Sequence, residues 1–181
     1  MWLRVFVLSM VVASGLSCAG RSKTAAHPAT PEDYRKIPIV ALGGDSHALG
    51  ELLGRRPALL SLWAPWCEPC IKELPELERL AQAMSPCGAA VLGIAVGESP
   101  SAVAAFVRAR QLTYPQYTDE QFRLADALGQ RRVPATIVLD VDQQVVYTGS
   151  ALDGRATGAL ATALGEAAGG APCPSQTRAA N

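Results

Sequence analysis

Trp63-Ala64-Pro65-Trp66-Cys67-Glu68-Pro69-Cys70 is the stretch of sequence that decides the fold. The apolar run 58–62 precedes it and a helical pattern starts at Glu68, which indicates a strand, a tight turn and a helix N-terminus. A helix N-terminus carries roughly +0.5 charge and unpaired N–H groups, so it stabilises a thiolate. The thiolate is the reactive form of cysteine, and the spacing of Cys67 and Cys70 lets them close a disulfide. The stretch therefore predicts reversible thiol–disulfide exchange.

The length and the charge of the chain limit the class of protein. Its 181 residues, less the ends, provide for one domain with a hydrophobic core. The 16 basic and 16 acidic residues balance, and there is no long basic run or basic–aromatic cluster. We therefore expect no nucleic-acid partner.

The N-terminus predicts export. Arg4 precedes an apolar segment, 5–16, whose length of about a dozen residues suits a signal peptide and is short for a bilayer span. Small residues then lead to Cys18, which resembles the cleavage box of bacterial lipoproteins, although Gly15 stands where that box usually has Leu. We interpret 1–17 as a lipoprotein signal peptide and Cys18 as the lipidated residue. Simple secretion and an uncleaved anchor are the alternatives.

The rest of the chain divides into three parts. Residues 18–36 are predicted to form a flexible tether, 37–168 the folded domain and 169–181 a C-terminal tail. Disulfides persist outside the cytoplasm, so an exported cysteine pair is first of all a redox or structural device. Five cysteines are present, and an even number remains if Cys18 carries lipid.

Hydrophobic patterning predicts strands that alternate with helices. The predicted elements are a hairpin over 37–49, a helical turn at 49–53, strands at 58–63, 89–96 and 116–118, helices at 68–84 and 99–110, a helix that Asp119 caps and that runs to Leu128, a hairpin over 135–149 and a last helix at 154–168. This order predicts an α/β fold with a central, partly parallel sheet flanked by helices.

Three separated motifs carry a resemblance to a known family. They are 63–75, Val133-Pro134-Ala135 before the penultimate strand, and the segment that leads from Tyr114-Pro115 through Asp119 and Gly129 to Pro134. Over about 37–168 the chain resembles the thioredoxin fold, and most closely the TlpA/ResA-like group of exported, membrane-tethered thiol–disulfide oxidoreductases, which is related to the AhpC/TSA and Redoxin families. The resemblance implies a mixed sheet with an N-terminal hairpin and a strand–helix insertion before a cis-proline.

The resemblance also implies catalytic roles. Cys67 is the attacking nucleophile that forms a mixed disulfide with a client protein, and Cys70 is the resolving thiol. Glu73 matches the glutamate of this group that takes the Cys70 proton, the alternative being an exposed helix residue. Pro134 matches the cis-proline that faces the cysteines, which leaves the Val133 backbone free to pair with an incoming peptide.

Five residues around the cysteines are expected to tune or surround the site. Pro69 stiffens the turn, and Glu68 places a negative charge beside the attacking sulfur. That charge disfavours the thiolate and favours a reductant, unless Glu68 is a surface residue with no effect. Trp66 is predicted to be a docking surface, Trp63 to be core, and Pro65 to lie beside them.

Cys87 and Cys173 lie outside the motifs of the group. In the implied fold, the helix after Cys70 and the last helix start at the same end and pack on one sheet face. Cys87 and Cys173 follow the far ends of these helices, so we predict a structural disulfide between them, stabilising by about 2–4 kcal/mol.

The favoured function is an exported, lipid-anchored reductase on the periplasmic side of a bacterial membrane. The resemblance implies a membrane thiol electron donor and clients such as apocytochrome c or copper-site assembly proteins. No cofactor is expected besides the redox-active Cys67–Cys70 disulfide. Alternatives are an oxidant or isomerase, a non-catalytic thioredoxin-like domain, and a metal-binding module, which is disfavoured because only His27 and His47 could complete a zinc site. The sequence leaves the oligomeric state open.

Overall fold

The computed structural model describes residues 34–167. In chain order the elements are β1 (Pro38–Ala41), β2 (Ser46–Ala48), α1 (Leu49–Leu53), β3 (Ala58–Trp63), α2 (Glu68–Met84), β4 (Ala90–Val96), α3 (Pro100–Arg110), β5 (Gln116–Asp119), α4 (Arg123–Ala127), β6 (Ala135–Leu139), β7 (Val145–Gly149) and α5 (Gly154–Ala167), with 3₁₀ helices at Tyr34–Lys36 and Ser85–Cys87. The predicted α/β class and the N-terminal hairpin are confirmed.

The seven strands form one mixed sheet in the order β2-β1-β5-β4-β3-β6-β7. β3 lies between β4, to which it is parallel, and β6, to which it is antiparallel. Every residue of β3 and β4 is buried, as expected for central strands covered on both faces. The edges are the two hairpin strands β2 and β7.

Alternate side chains of the central strands pack into two hydrophobic cores, one on each face of the sheet. On one face Leu59 and Trp63 of β3 pack with Leu74 of α2 and Leu160 of α5. On the other face the strand residues pack against α1 and α4. α2 and α5 therefore share a sheet face, as the sequence predicted.

This topology brings the cysteines to one end of the sheet. β3 ends at Trp63, and α2 starts five residues later with Cys67 as its N-cap residue. β6 runs antiparallel to β3, with Ala135 paired to Leu62, so the loop before β6 reaches the same end. In a sheet of this kind, ligands bind at the carboxyl ends of the parallel strands.

Two predicted boundaries are wrong. Tyr34–Lys36 were assigned to the flexible tether, but they form a 3₁₀ helix, and Tyr34 is buried in the core with its hydroxyl donating to the Gln143 carbonyl. The helix predicted from Asp119 to Leu128 is only the short α4. Asp119 is not its N-cap residue, because β5 includes it, although its Oδ2 accepts the Ala125 N–H at 2.9 Å.

Several predictions fall on other parts of the chain. The signal peptide 1–17, the lipidated Cys18, the tether up to residue 33 and the tail 169–181 lie outside the described residues. Among the described helices, none combines the length and the apolar character that crossing a membrane requires.

Candidate active site

Cys67 and Cys70 form a disulfide at the start of α2. Their Cα atoms are 5.3 Å apart, which the first turn of a helix provides without distortion. Cys67 is 5% exposed and Cys70 1%, so both are buried in the oxidised protein and Cys67 is the less buried of the two. The order of attack that the resemblance implies, Cys67 first and Cys70 second, agrees with this difference in burial.

The helix start provides the electrostatics of a reactive thiol. Cys67 has an extended backbone conformation, and its Sγ accepts the backbone N–H of Cys70 at 3.3 Å. A sulfur at this position receives both a hydrogen bond and the positive end of the helix dipole. Both interactions stabilise a Cys67 thiolate when the disulfide is reduced.

Glu68, between the cysteines, is not an isolated charge. Its carboxylate forms an exposed ion pair with Lys72 one turn further along α2, at 2.7 Å. Such pairs are worth only about 0–1 kcal/mol, but the ammonium offsets the field of Glu68 at Cys67. The effect predicted for Glu68 on redox direction is therefore weaker than the sequence alone implies. Pro69 occupies the first turn of α2 and is exposed.

Glu73 lies one helical turn after Cys70 and is half-buried. Its Oε1 accepts the backbone N–H of Leu152 at 3.3 Å. Its Oε2 is buried and, within 34–167, has no hydrogen-bond partner. Burial raises the pKa of the Glu73 carboxyl, the Leu152 N–H lowers it in part, and Glu76 raises it. A carboxylate that is reluctant to ionise, with one free oxygen, suits a group that accepts and returns a proton.

The three residues before Cys67 have different environments. Trp63 is fully buried, and its indole N–H donates to Gln116 Oε1 at 3.0 Å. Pro65 is partly exposed, and Trp66 is 67% exposed beside the disulfide. These positions are the ones expected for a core Trp63 and a docking Trp66, whose roles stay predictions.

Sequence reasoning missed the polar residues behind the site. Gln116 and Tyr114 lie near Trp63 and Glu73, and burial raises the pKa of the Tyr114 hydroxyl to about 12, so Tyr114 stays protonated. Leu152, which holds Glu73, comes from the turn before α5. Gln116 is the first residue of β5, which also contains the polar Thr118 and Asp119, so it left no distinct signal in the sequence. Leu152 acts through its backbone and left no signal.

The loop before β6 completes the site. The Val133–Pro134 peptide bond is cis, as the resemblance implied. Val133 packs against both hydrophobic cores, on the same end of the sheet as the cysteines. The strand–helix insertion that leads to it, β5 and α4, is also present.

Cys87 lies away from this site, in the 3₁₀ helix after α2. Cys173 is outside the described residues, so the predicted Cys87–Cys173 disulfide stays a prediction. In the described part of the chain, no group of three or more His, Cys, Asp or Glu side chains is placed to hold a metal ion.

The fold and the site together define a thioredoxin-fold protein with a Cys-x-x-Cys redox centre. Residues 35–148 match the AhpC/TSA family, and the chain belongs to that family.

Two relatives and one solved structure agree with this assignment. Thiol-disulfide oxidoreductase ResA of Geobacillus kaustophilus is 30% identical over 114 residues, which cover 62% of this chain and 65% of the relative. ResA of Halalkalibacterium halodurans is 28% identical over 151 residues, which cover 80% and 83%. The chain thus spans just under two thirds of the first relative. The structure of MTB DsbF, in mixed oxidised and reduced forms, has a TM-score of 0.62 at 25% identity and covers 72% of this chain and 96% of that chain.

Proposed function

We propose that this protein is an exported thiol–disulfide oxidoreductase that reduces disulfides in client proteins. The observation that carries the proposal is the Cys67–Cys70 disulfide at the N-terminus of α2, in which Cys67 is the less buried cysteine. The names of the two relatives, both thiol-disulfide oxidoreductases, support the same reaction.

The geometry supports two steps. In the first, the Cys67 thiolate attacks one sulfur of a client disulfide, that bond breaks, and the other client sulfur leaves as a thiolate. In the second, Glu73 takes the proton of the Cys70 thiol, and the Cys70 thiolate attacks Cys67 Sγ. The mixed disulfide breaks and the second client thiolate leaves. The client has gained two electrons, and Cys67–Cys70 has become the disulfide described here.

A cellular setting follows from the N-terminal sequence and from the resemblance. We propose that Cys18 carries a lipid anchor on the periplasmic side of a bacterial membrane, and that a membrane thiol protein returns electrons to Cys67–Cys70. Apocytochrome c cysteines before haem attachment, or copper-site assembly proteins, are the proposed clients. Mass spectrometry of the membrane fraction would detect the diacylglyceryl group on Cys18, and an unmodified Cys18 in the mature protein would contradict the anchor.

Reduction of insulin disulfides by dithiothreitol tests the reaction. We expect the protein to accelerate precipitation of the insulin B chain, and Cys67→Ser to abolish the acceleration because no attacking thiolate remains. In a separate reaction without dithiothreitol, the reduced Cys70→Ser variant should accumulate a mixed disulfide with insulin, visible on a non-reducing gel. A wild-type protein without activity, or an active Cys67→Ser variant, would contradict the proposal.

The reduction potential decides between a reductase and the second candidate, a disulfide-forming oxidant. A value near or below about −250 mV, in the thioredoxin range, supports a reductase that needs an electron supply. A value near about −120 mV identifies an oxidant. The measurement is equilibration of the Cys67–Cys70 pair with glutathione or dithiothreitol buffers, followed by alkylation and mass analysis.

A further inference from the structure

A groove of about 400 Å³ is lined by Trp66, the residue before Cys67, and by Val133, the residue before the cis-proline. Trp66 from the turn before Cys67 and Val133 from the loop before β6 line one part of it. Phe122, at the start of α4, and the pair Arg131 and Arg132 line the other part. Because Trp66 is bonded to Cys67 and Val133 to Pro134, the groove extends from the residues that flank the active site to α4. We call it the α4 groove.

Part of the lining of the α4 groove is apolar. Leu62 and Val96, at the ends of β3 and β4, and Ala125 of α4 are buried residues that also line it. Trp66 is 67% exposed and Phe122 45%, and they are two of the four exposed large hydrophobic residues in the described chain. Two exposed aromatic rings on one concave surface are a property of binding sites rather than of ordinary protein surface.

The backbone conformation of Phe122 and its contacts hold the residue in its exposed position. Phe122 has φ +58° and ψ +17°, a left-handed conformation that is uncommon for a bulky aromatic residue. Its ring lies over Gly97, where an added Cβ would come within 2.5 Å of Phe122 Cζ. The Phe122 N–H donates to the Asp119 carbonyl, and its own carbonyl accepts the Asp126 N–H. The glycine makes room for the ring, and the two hydrogen bonds hold the residue in place.

The rim of the α4 groove has an excess of positive charge. Arg131 and Arg132 are both exposed, and within residues 34–167 neither guanidinium has a hydrogen-bond or ion-pair partner. Asp126 is the acidic residue among those that line the groove, so two cations face one anion. Guanidinium groups favour carboxylates, which they bind with two parallel hydrogen bonds.

We propose that the α4 groove binds the client segment next to the disulfide, with an apolar side chain between Trp66 and Phe122 and an acidic side chain against Arg131 and Arg132. The proposal rests on the proposed function, because it gives the substrate class of the same site. It assigns client selection to α4 and to the loop that follows it, while the cysteines perform the exchange.

Two disulfide-closed peptides test the selection. Each contains Cys-Ala-Ala-Cys and a leucine, and they differ in carrying two glutamates or two lysines on one side. The reduced protein is mixed with each peptide, and the second-order rate constant is followed by tryptophan fluorescence. We expect the acidic peptide to react about fivefold faster, the ratio that two exposed ion pairs provide. Equal rates, or a faster lysine peptide, would overturn the proposal.

Variants locate the preference. Arg131→Gln with Arg132→Gln should remove the difference between the peptides. The matched control, Arg79→Gln with Arg108→Gln, changes net charge equally on exposed helix positions away from the groove and should keep the difference. A preference that survives in the first variant, or disappears in the control, contradicts the assignment. Phe122→Gly keeps the left-handed backbone but removes the ring, and should slow both peptides.

A small dithiol and a non-reactive peptide separate this proposal from the proposed function. The oxidised groove variants should be reduced by dithiothreitol at the wild-type rate, because that reagent is too small to reach the groove. The acidic peptide with serines in place of its cysteines should bind the oxidised protein in calorimetry more tightly than the lysine version. Binding without any disulfide reactivity would refute the oxidoreductase and keep the groove. Disulfide reactivity without this difference in binding would refute client selection by the α4 groove and leave the proposed oxidoreductase function in place.

Discussion

Gly93 is the position at which a single methyl group should damage the interior behind the active site. Gly93 lies in the buried strand β4, paired with Gln116 of β5. A Cβ at 93 would lie 2.1 Å from Gln116 Oε1, the atom that accepts the Trp63 indole N–H. Gly93→Ala therefore forces the glutamine amide aside and leaves the Trp63 N–H buried without its acceptor.

The expected cost has two parts. Overpacking of a filled interior costs about 1–3 kcal/mol. An unsatisfied buried N–H costs about 1–3 kcal/mol more. Alanine also reduces the conformational freedom of the unfolded chain, which raises the free energy of unfolding by about 0.4–1 kcal/mol and offsets part of this cost. We expect the free energy of unfolding to fall by about 2–4 kcal/mol, a large part of the roughly 5–15 kcal/mol of a typical domain.

Urea unfolding of the oxidised protein measures this cost, and a double-mutant cycle identifies its cause. In a Gln116→Ala background the clash is absent, so Gly93→Ala should cost less than about 1 kcal/mol. Gly158→Ala, on an exposed face of α5 with nothing within 4 Å of the new Cβ, is the control and should stabilise by about 0.5–1 kcal/mol. Equal costs of Gly93→Ala with and without Gln116 would refute the reasoning.

Three further predictions concern single polar contacts. Burial raises the pKa of Glu73, so the wild type should lose stability as the pH rises from the ordinary pKa of a glutamate through the pKa in the folded protein. Glu73→Gln should lack this loss of stability when urea midpoints are measured between about pH 4 and 8. Superimposable pH profiles of the two proteins would contradict the prediction. Asp119→Ala removes the buried acceptor of the Ala125 N–H and should cost about 1–3 kcal/mol in the same assay, while the exposed Asp126→Ala should cost less than about 0.5 kcal/mol. Tyr34→Phe removes the hydrogen bond to the Gln143 carbonyl and should lower the free energy of unfolding by about 1 kcal/mol; an unchanged midpoint would show that the hydroxyl bonds equally well to water.

The parts that sequence predicts well are those whose cause is local. The strand at 58–63 and the helix at 68–84 have the predicted bounds, because the hydrophobic period and the Cys-Glu-Pro-Cys turn are both short-range signals. The α/β class followed from the alternation of such segments. Cys67 and Cys70 were identified because their chemistry depends on a spacing of three residues.

The parts that sequence did not predict depend on contacts between distant residues. Tyr34 looked like part of a polar tether, since its partner Gln143 is 109 residues away. Phe122 takes a left-handed conformation that its own side chain disfavours, and the space for its ring comes from Gly97 at the end of another strand. The short α4 begins at Arg123, with Phe122 as its N-cap residue, rather than at Asp119.

The contact between Tyr34 and Gln143 also determines at which end of the sheet the first described residue lies. Gln143 is in the turn between β6 and β7, beyond the Leu139 end of β6, which pairs with Ala58 at the start of β3. The whole length of β3, about 20 Å, therefore separates this turn from Cys67. Tyr34, the first described residue, therefore lies at the end of the sheet opposite the disulfide, so a partner that contacts the Tyr34 end does not cover Cys67.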